Sequence, residues 1–113
     1  MIAITRSAVL SALARHLGQR NGVHIGPLVY EITGAAPDVA AERAVRKVIE
    51  ELRREGEHIC GHPASGYYMA ETSAELDGTC KFLLSRAMTS LTQISRMKKI
   101  ALPDLEGQLH LKT

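Results

Sequence analysis

The chain has 113 residues, a formal net charge of +2 and 45% hydrophobic residues, which is one domain's worth of sequence with an ordinary apolar share. Trp is absent and aromatic residues make up only 4%, so aliphatic side chains must fill the core, and a base-stacking platform for single strands is argued against. No apolar run approaches the ~18–20 residues that span a bilayer, and the N-terminus lacks the basic-then-apolar layout of a signal peptide. A cytoplasmic protein with no membrane partner is therefore expected.

Thr5 is placed to cap a first helix. Its apolar positions Val9, Leu10, Leu13 and Leu17 follow helical spacing, and Gly18 supplies a stop before the turn Gln19-Arg20-Asn21-Gly22. A short second helix is predicted around Pro27 to Thr33, with Leu28, Val29 and Ile32 as its apolar face and Gly34 at its end. Asp38 is a good N-cap for a third helix from Val39 to Glu55, closed by Gly56. Val45, Val48, Ile49 and Leu52 form one stripe of that helix, and Arg43, Arg46, Lys47, Glu50 and Arg54 form the opposite one.

His58-Ile59-Cys60 and Tyr67-Tyr68-Met69 read as the strands of a hairpin, joined by a projecting loop marked by Gly61, Pro63 and Gly66. Tyr67 and Tyr68 fall on opposite faces of the second strand. Thr72 with Glu75 three residues on is a capping-box signature, opening a long helix from Ser73 to Lys99. Pro103 and Gly107 close it. Leu76, Cys80, Leu83, Ala87, Ile94 and Met97 fall near a seven-residue pattern, with Leu84, Met88 and Leu91 as a second stripe beside it. So wide an apolar surface is expected to cover the domain and to join a second copy of the chain. Leu105, Leu109 and Leu111 alternate in the tail, which reads equally as a strand or an arm.

Charge is unevenly spread. From Met1 to Tyr30 the only charged residues are Arg6, Arg15 and Arg20, and between Asp77 and Asp104 Lys81, Arg86, Arg96, Lys98 and Lys99 are all basic. The acids gather between Glu31 and Asp77. Cys60 and Cys80 are too few for a disulfide scaffold and are expected as buried thiols.

Helix, helix, helix, hairpin, long helix is the order of a winged helix-turn-helix, so the expected fold class is mainly α with a small β-hairpin. Residues 1–72 would form the winged domain and residues 73–113 a dimerisation helix and tail within the same structural unit. The run from Val45 to Ile59, with Leu52-Arg53-Arg54-Glu55-Gly56, followed by Gly66-Tyr67-Tyr68-Met69, resembles the recognition helix and wing of the biotin-repressor type of winged helix. The resemblance is good over residues 45–69 and looser over residues 3–44. The Ser-Arg usual near the entry of the third helix is replaced by the run from Ala35 to Arg43. No ligase domain follows, so the resemblance implies no biotin chemistry. Small phage and prophage regulators are similar in size and layout.

A helix with one apolar and one basic stripe suits the major groove, where Arg pairs bidentately with guanine at ~1–3 kcal/mol of discrimination. Arg43, Arg46 and Lys47 are the candidates for base or phosphate contact. Arg53 and Arg54 suit phosphates or the helix dipole, and His62 and Ser65 in the loop could reach a phosphate or the minor groove. Leu76, Leu83, Leu84, Met88, Leu91 and Ile94 are the candidates for dimerisation. The expected partner is double-stranded DNA, bound by a homodimer that regulates transcription from a palindromic site.

Blander readings stand beside these. Glu42 with Arg46, and Glu50 with Arg54, could be surface pairs worth ~0.2–0.5 kcal/mol each on a solvated face, and the mixed-charge helix could dock on a protein in a phage or replication assembly. His58, Cys60 and His62 alternate along a strand but lack the pair spacing of structural zinc sites. No nucleophile triad, phosphate-binding glycine loop or carboxylate pair is present, so neither catalysis nor a cofactor or metal is expected.

Overall fold

The computed structural model describes residues 3–101 together with Pro103 and Asp104. It has an α+β fold: helices α1 (Arg6–Leu13), α2 (Ile25–Thr33) and α3 (Val39–Arg54), strands β1 (Ile59–His62) and β2 (Gly66–Met69), then a long helix α4 (Ser73–Lys98). The chain divides into two compact units after Thr79, within α4. The alternating Leu105, Leu109 and Leu111, like Gly107, lie outside the described residues.

In the first unit, α1, α2 and α3 close around one aliphatic core. Val9, Leu13, Leu28, Val29 and Val45 have no exposed surface, and Ile49, Leu52 and Ile59 add to the same cluster. The caps expected for α1 and α3 form: the Ala8 N–H donates to Thr5 Oγ1 (3.1 Å) and the Ala41 N–H to Asp38 Oδ1 (2.7 Å). Each satisfies an amide that the helix itself leaves without a partner. Gly34 takes a left-handed conformation (φ 73°) and its N–H donates to the Tyr30 carbonyl (2.8 Å), ending α2.

Helix α1 is shorter than its periodicity predicts, stopping at Leu13 rather than running to Gly18. The reason is tertiary. The Met69 N–H donates to the His16 carbonyl (2.8 Å) and the Gly18 N–H to the Met69 carbonyl (2.8 Å), so the segment that would have continued the helix lies along β2 instead. Leu17 is left 47% exposed. The His16 ring then lies between the Asn21 carbonyl oxygen (2.7 Å from Nδ1) and the Glu31 carboxylate (2.9 Å from Nε2), which ties the turn after α1 to α2.

The hairpin is antiparallel, with Ile59 opposite Met69 and His62 opposite Gly66. The Ser65 N–H donates to the His62 carbonyl (3.2 Å), closing a turn, and Gly66, the first residue of β2, has φ 79°, a conformation that favours glycine. Beyond the hairpin, β2 exchanges two bonds with Val23: Val23 N–H to the Tyr67 carbonyl (2.8 Å) and Tyr67 N–H to the Val23 carbonyl (2.7 Å). This gives the outer edge of β2 a partner where an unpaired edge would invite another chain. A Cβ on Gly66 would strike the Val23 backbone, and one on Gly22 would strike the Ser65 carbonyl. The loop expected to project therefore does so only at its tip, because its return limb is packed on the Gly22–Val23 segment.

The two faces of β2 are used differently. Tyr67 and Met69 pack on the helical core, while Tyr68 is buried beside Cys60, Glu75 and Thr79. The Glu75 N–H donates to Thr72 Oγ1 (3.2 Å), half of the expected capping box. Its carboxylate reaches the Glu71 N–H (2.9 Å) and the Gln19 N–H (3.0 Å) and so fastens the first turn of α4 to the turn after α1. Those donors, Gln19 first, hold the Glu75 carboxyl below its ordinary pKa.

In the second unit α4 continues to Lys98, and Lys99 follows with φ 56°. Thr79 is the buried residue of α4 among those described. Cys60 is buried as expected, but Cys80 is exposed. Successive helical residues point about 100° apart, so Cys80 does not share the side on which Thr79 is buried, and the expected burial of both thiols is corrected for Cys80.

Candidate nucleic-acid interface

Helix α3 owes its exposed face to the closure of the other one. Val45, Ile49 and Leu52 recur at helical spacing and are at most 4% exposed, so residues on the far side of the 3.6-residue period must face outward. Arg43, Arg46, Lys47, Glu50 and Arg54 are all exposed. Val39, four residues before Arg43 and therefore on the same line, is 66% exposed.

Acids expected to oppose an anionic partner are largely displaced from that line. Glu42 and Glu51 are half-buried at its flanks, and Glu55 forms an ion pair with Arg6. Glu42 Oε1 stands 4.0 Å from the Arg46 guanidinium, on a partly exposed surface where such pairs contribute little. Glu50 is thus the acid that shares the exposed face with Arg43, Arg46, Lys47 and Arg54.

Arg53 has a different position from its neighbour. It is half-buried, its Nε–H donates to the Ile59 carbonyl (2.8 Å), and its guanidinium lies against Gly61, where an added Cβ would sit 3.2 Å from it. This side chain locks the C-terminal end of α3 to β1 and so sets the hairpin's position relative to the helix. Arg54 remains exposed.

In the loop, His62, Pro63 and Ala64 are exposed, and the Ala64 N–H donates to His62 Nδ1 (3.1 Å). Ser65 is half-buried, and its hydroxyl oxygen is buried with no hydrogen-bond partner among the described residues. The loop therefore presents His62 outward rather than Ser65. Arg20, exposed on the 3-10 turn Gln19–Asn21, precedes by two residues the Gly22 that abuts Ser65. In the sequence Arg20 is marked only as a charge, because nothing local says that this turn meets the loop.

The dimerisation candidates are unevenly exposed. Leu84 (61%), Leu83 (41%) and Ile94 (36%) are exposed, Leu76, Met88 and Leu91 are half-buried, and Met97 is 82% exposed. Of the three alternating residues on and before β1, Cys60 is buried with its Sγ 3.6 Å from the Glu75 carbonyl, while His58 and His62 are exposed. Among the described residues no group of three His, Cys, Asp or Glu side chains is placed to hold a metal ion. No described helix is long and apolar enough to cross a membrane.

No family model, curated protein or solved structure matches the chain.

Proposed function

We propose that the chain binds double-stranded DNA as a winged helix-turn-helix protein and regulates transcription, with α3 in the major groove and the hairpin tip on the backbone. The observation that carries this reading is the exposed line of α3, where Arg43, Arg46, Lys47 and Arg54 share the face with Glu50, and with Glu42 half-buried at its flank beside Arg46, while the opposite face is closed by the core. A helix held rigidly from behind, with guanidinium groups in front, meets the geometric demand of base-edge recognition. Arg53 then acts as a positioning residue, fixing α3 relative to the hairpin through Ile59. His62 at the tip, with Arg20 on the neighbouring turn, supplies the backbone contacts that set register rather than sequence.

A second copy joins through the apolar face of α4, with Leu83, Leu84 and Ile94 at its centre. Exposed aliphatic side chains at helical spacing support this pairing. Two copies present two α3 helices and so favour a palindromic operator. The role is binding, with no catalysis and no cofactor.

Glu50 and the Glu42–Arg46 pair favour one other reading, in which the same face docks on a protein. Charge reversal separates the two. The variant Arg43→Glu, Arg46→Glu, Lys47→Glu loses duplex affinity if α3 enters the groove. Retention of duplex binding by that variant would remove α3 from the interface, and the protein-docking reading predicts loss of a protein partner instead.

A further inference from the structure

We infer that Val39 reads the 5-methyl group of a thymine, one helical turn from the base that Arg43 takes, which makes it a specificity-determining residue of the recognition surface. The inference rests on the duplex-DNA reading of α3 and deepens it. Val39 is 66% exposed on the line that carries Arg43, Lys47, Glu50 and Arg54, at offsets of four, eight, eleven and fifteen residues. Nothing in helix formation asks for it there, since an exposed β-branched residue is a poorer helix former than Ala, Lys or Glu.

Its surroundings are apolar as well. Ala36, Pro37 and Ala40 are exposed, and the one charge of that stretch, Asp38, accepts from the Ala41 N–H (2.7 Å) as the helix cap. The exposed start of α3, from Ala36 to Ala40, thus offers methyl groups where the next turns offer guanidinium and ammonium groups, and Glu42 of the first turn is half-buried beside Arg46. In the major groove thymine is distinguished by its C5 methyl, which apolar side chains contact, while guanine O6 and N7 accept from Arg. Along the helix axis, four residues span about 6 Å, fewer than two base steps at about 3.4 Å each. The half-site therefore holds a thymine within two steps of the guanine read by Arg43.

The test uses the tightest duplex recovered from a random library by the full chain, and copies of it in which each thymine in turn is replaced by deoxyuridine, which removes only the methyl group. One substitution weakens wild-type binding about fourfold, the worth of one buried methyl-sized group. Val39→Ser binds the thymine duplex about fourfold more weakly than wild type and no longer distinguishes it from the deoxyuridine copy. Wild-type binding that stays tight, depends on Arg43 and is indifferent to every deoxyuridine would overturn this inference and leave the DNA reading intact. A recovered half-site with no thymine within two steps of a guanine would overturn it too. Failure to bind any duplex at low salt would sink both.

Discussion

Helices α3 and α4 are both amphipathic by sequence, yet their apolar faces end differently. In α3 the stripe Val45, Ile49, Leu52 is at most 4% exposed, and the charged stripe is what the molecule presents. In α4 only Thr79 is buried among the described residues, and Leu84 and Met97 are 61% and 82% exposed. The difference teaches that periodicity locates a face but does not supply what covers it. The face of α3 is covered by α1, α2 and β1, whereas beyond Thr79 no described residue of α4 is fully buried.

The largest expected effect divides the two helices directly. Ile49→Ala leaves a cavity in the closed core and costs about 2–5 kcal/mol of folding stability, read by urea denaturation. Leu84→Ala, at an exposed position, stays within about 0.5 kcal/mol at protein concentrations where the chain is monomeric. A cost for Leu84 near that of Ile49 would mean that its face is already covered.

A somewhat smaller loss is expected at the hairpin. Gly66→Ala forces a left-handed residue with a Cβ against the Val23 backbone, and costs about 1–3 kcal/mol. Without that cost, the packed return limb of the loop would be wrong. At the entry of α3, Asp38→Ala removes the cap to Ala41 and costs about 1 kcal/mol. That change leaves the exposed line of the helix in place and separates folding of α3 from recognition by it.

The smallest effect belongs to the stretch of α4 around buried Thr79, next to Tyr68. Burial, chiefly, raises the Tyr68 hydroxyl above its ordinary pKa of 10.0. The unfolded chain therefore loses that proton first as pH rises. The contribution is fully present below about pH 10 and is lost between that value and the higher folded one. Tyr68→Phe removes this part of the alkaline decline, which thermal melts at a series of pH values between about 9 and 11 would show. An unchanged decline in the variant would assign it to other groups.

Much of this contrast was legible in the sequence. The bounds of α3, its cap at Asp38 and its two stripes follow from local signals: a capping carboxylate, aliphatic residues at helical spacing and a glycine at the end. What was not legible depends on contacts across the chain. Leu17 keeps helical spacing with Leu13, but β2 claims its segment through backbone bonds that no local pattern encodes. Arg53 and Arg54 are adjacent and chemically alike, and only the position of the Ile59 carbonyl separates a structural guanidinium from a free-standing one. Glu75 was recognised as a cap residue, while its reach to Gln19, far back in the chain, carried no local mark.

The most direct measurement is binding of the purified chain to a fluorescent duplex as salt rises from about 50 to 200 mM, the range over which phosphate-driven affinity falls steeply. The DNA reading predicts a linear loss of log affinity with log salt, and Lys47→Ala lowers that slope by about one if Lys47 meets a phosphate. Absence of binding at the lowest salt, or binding whose strength and slope are untouched by loss of both Arg43 and Lys47, would contradict the placement of α3 in the groove.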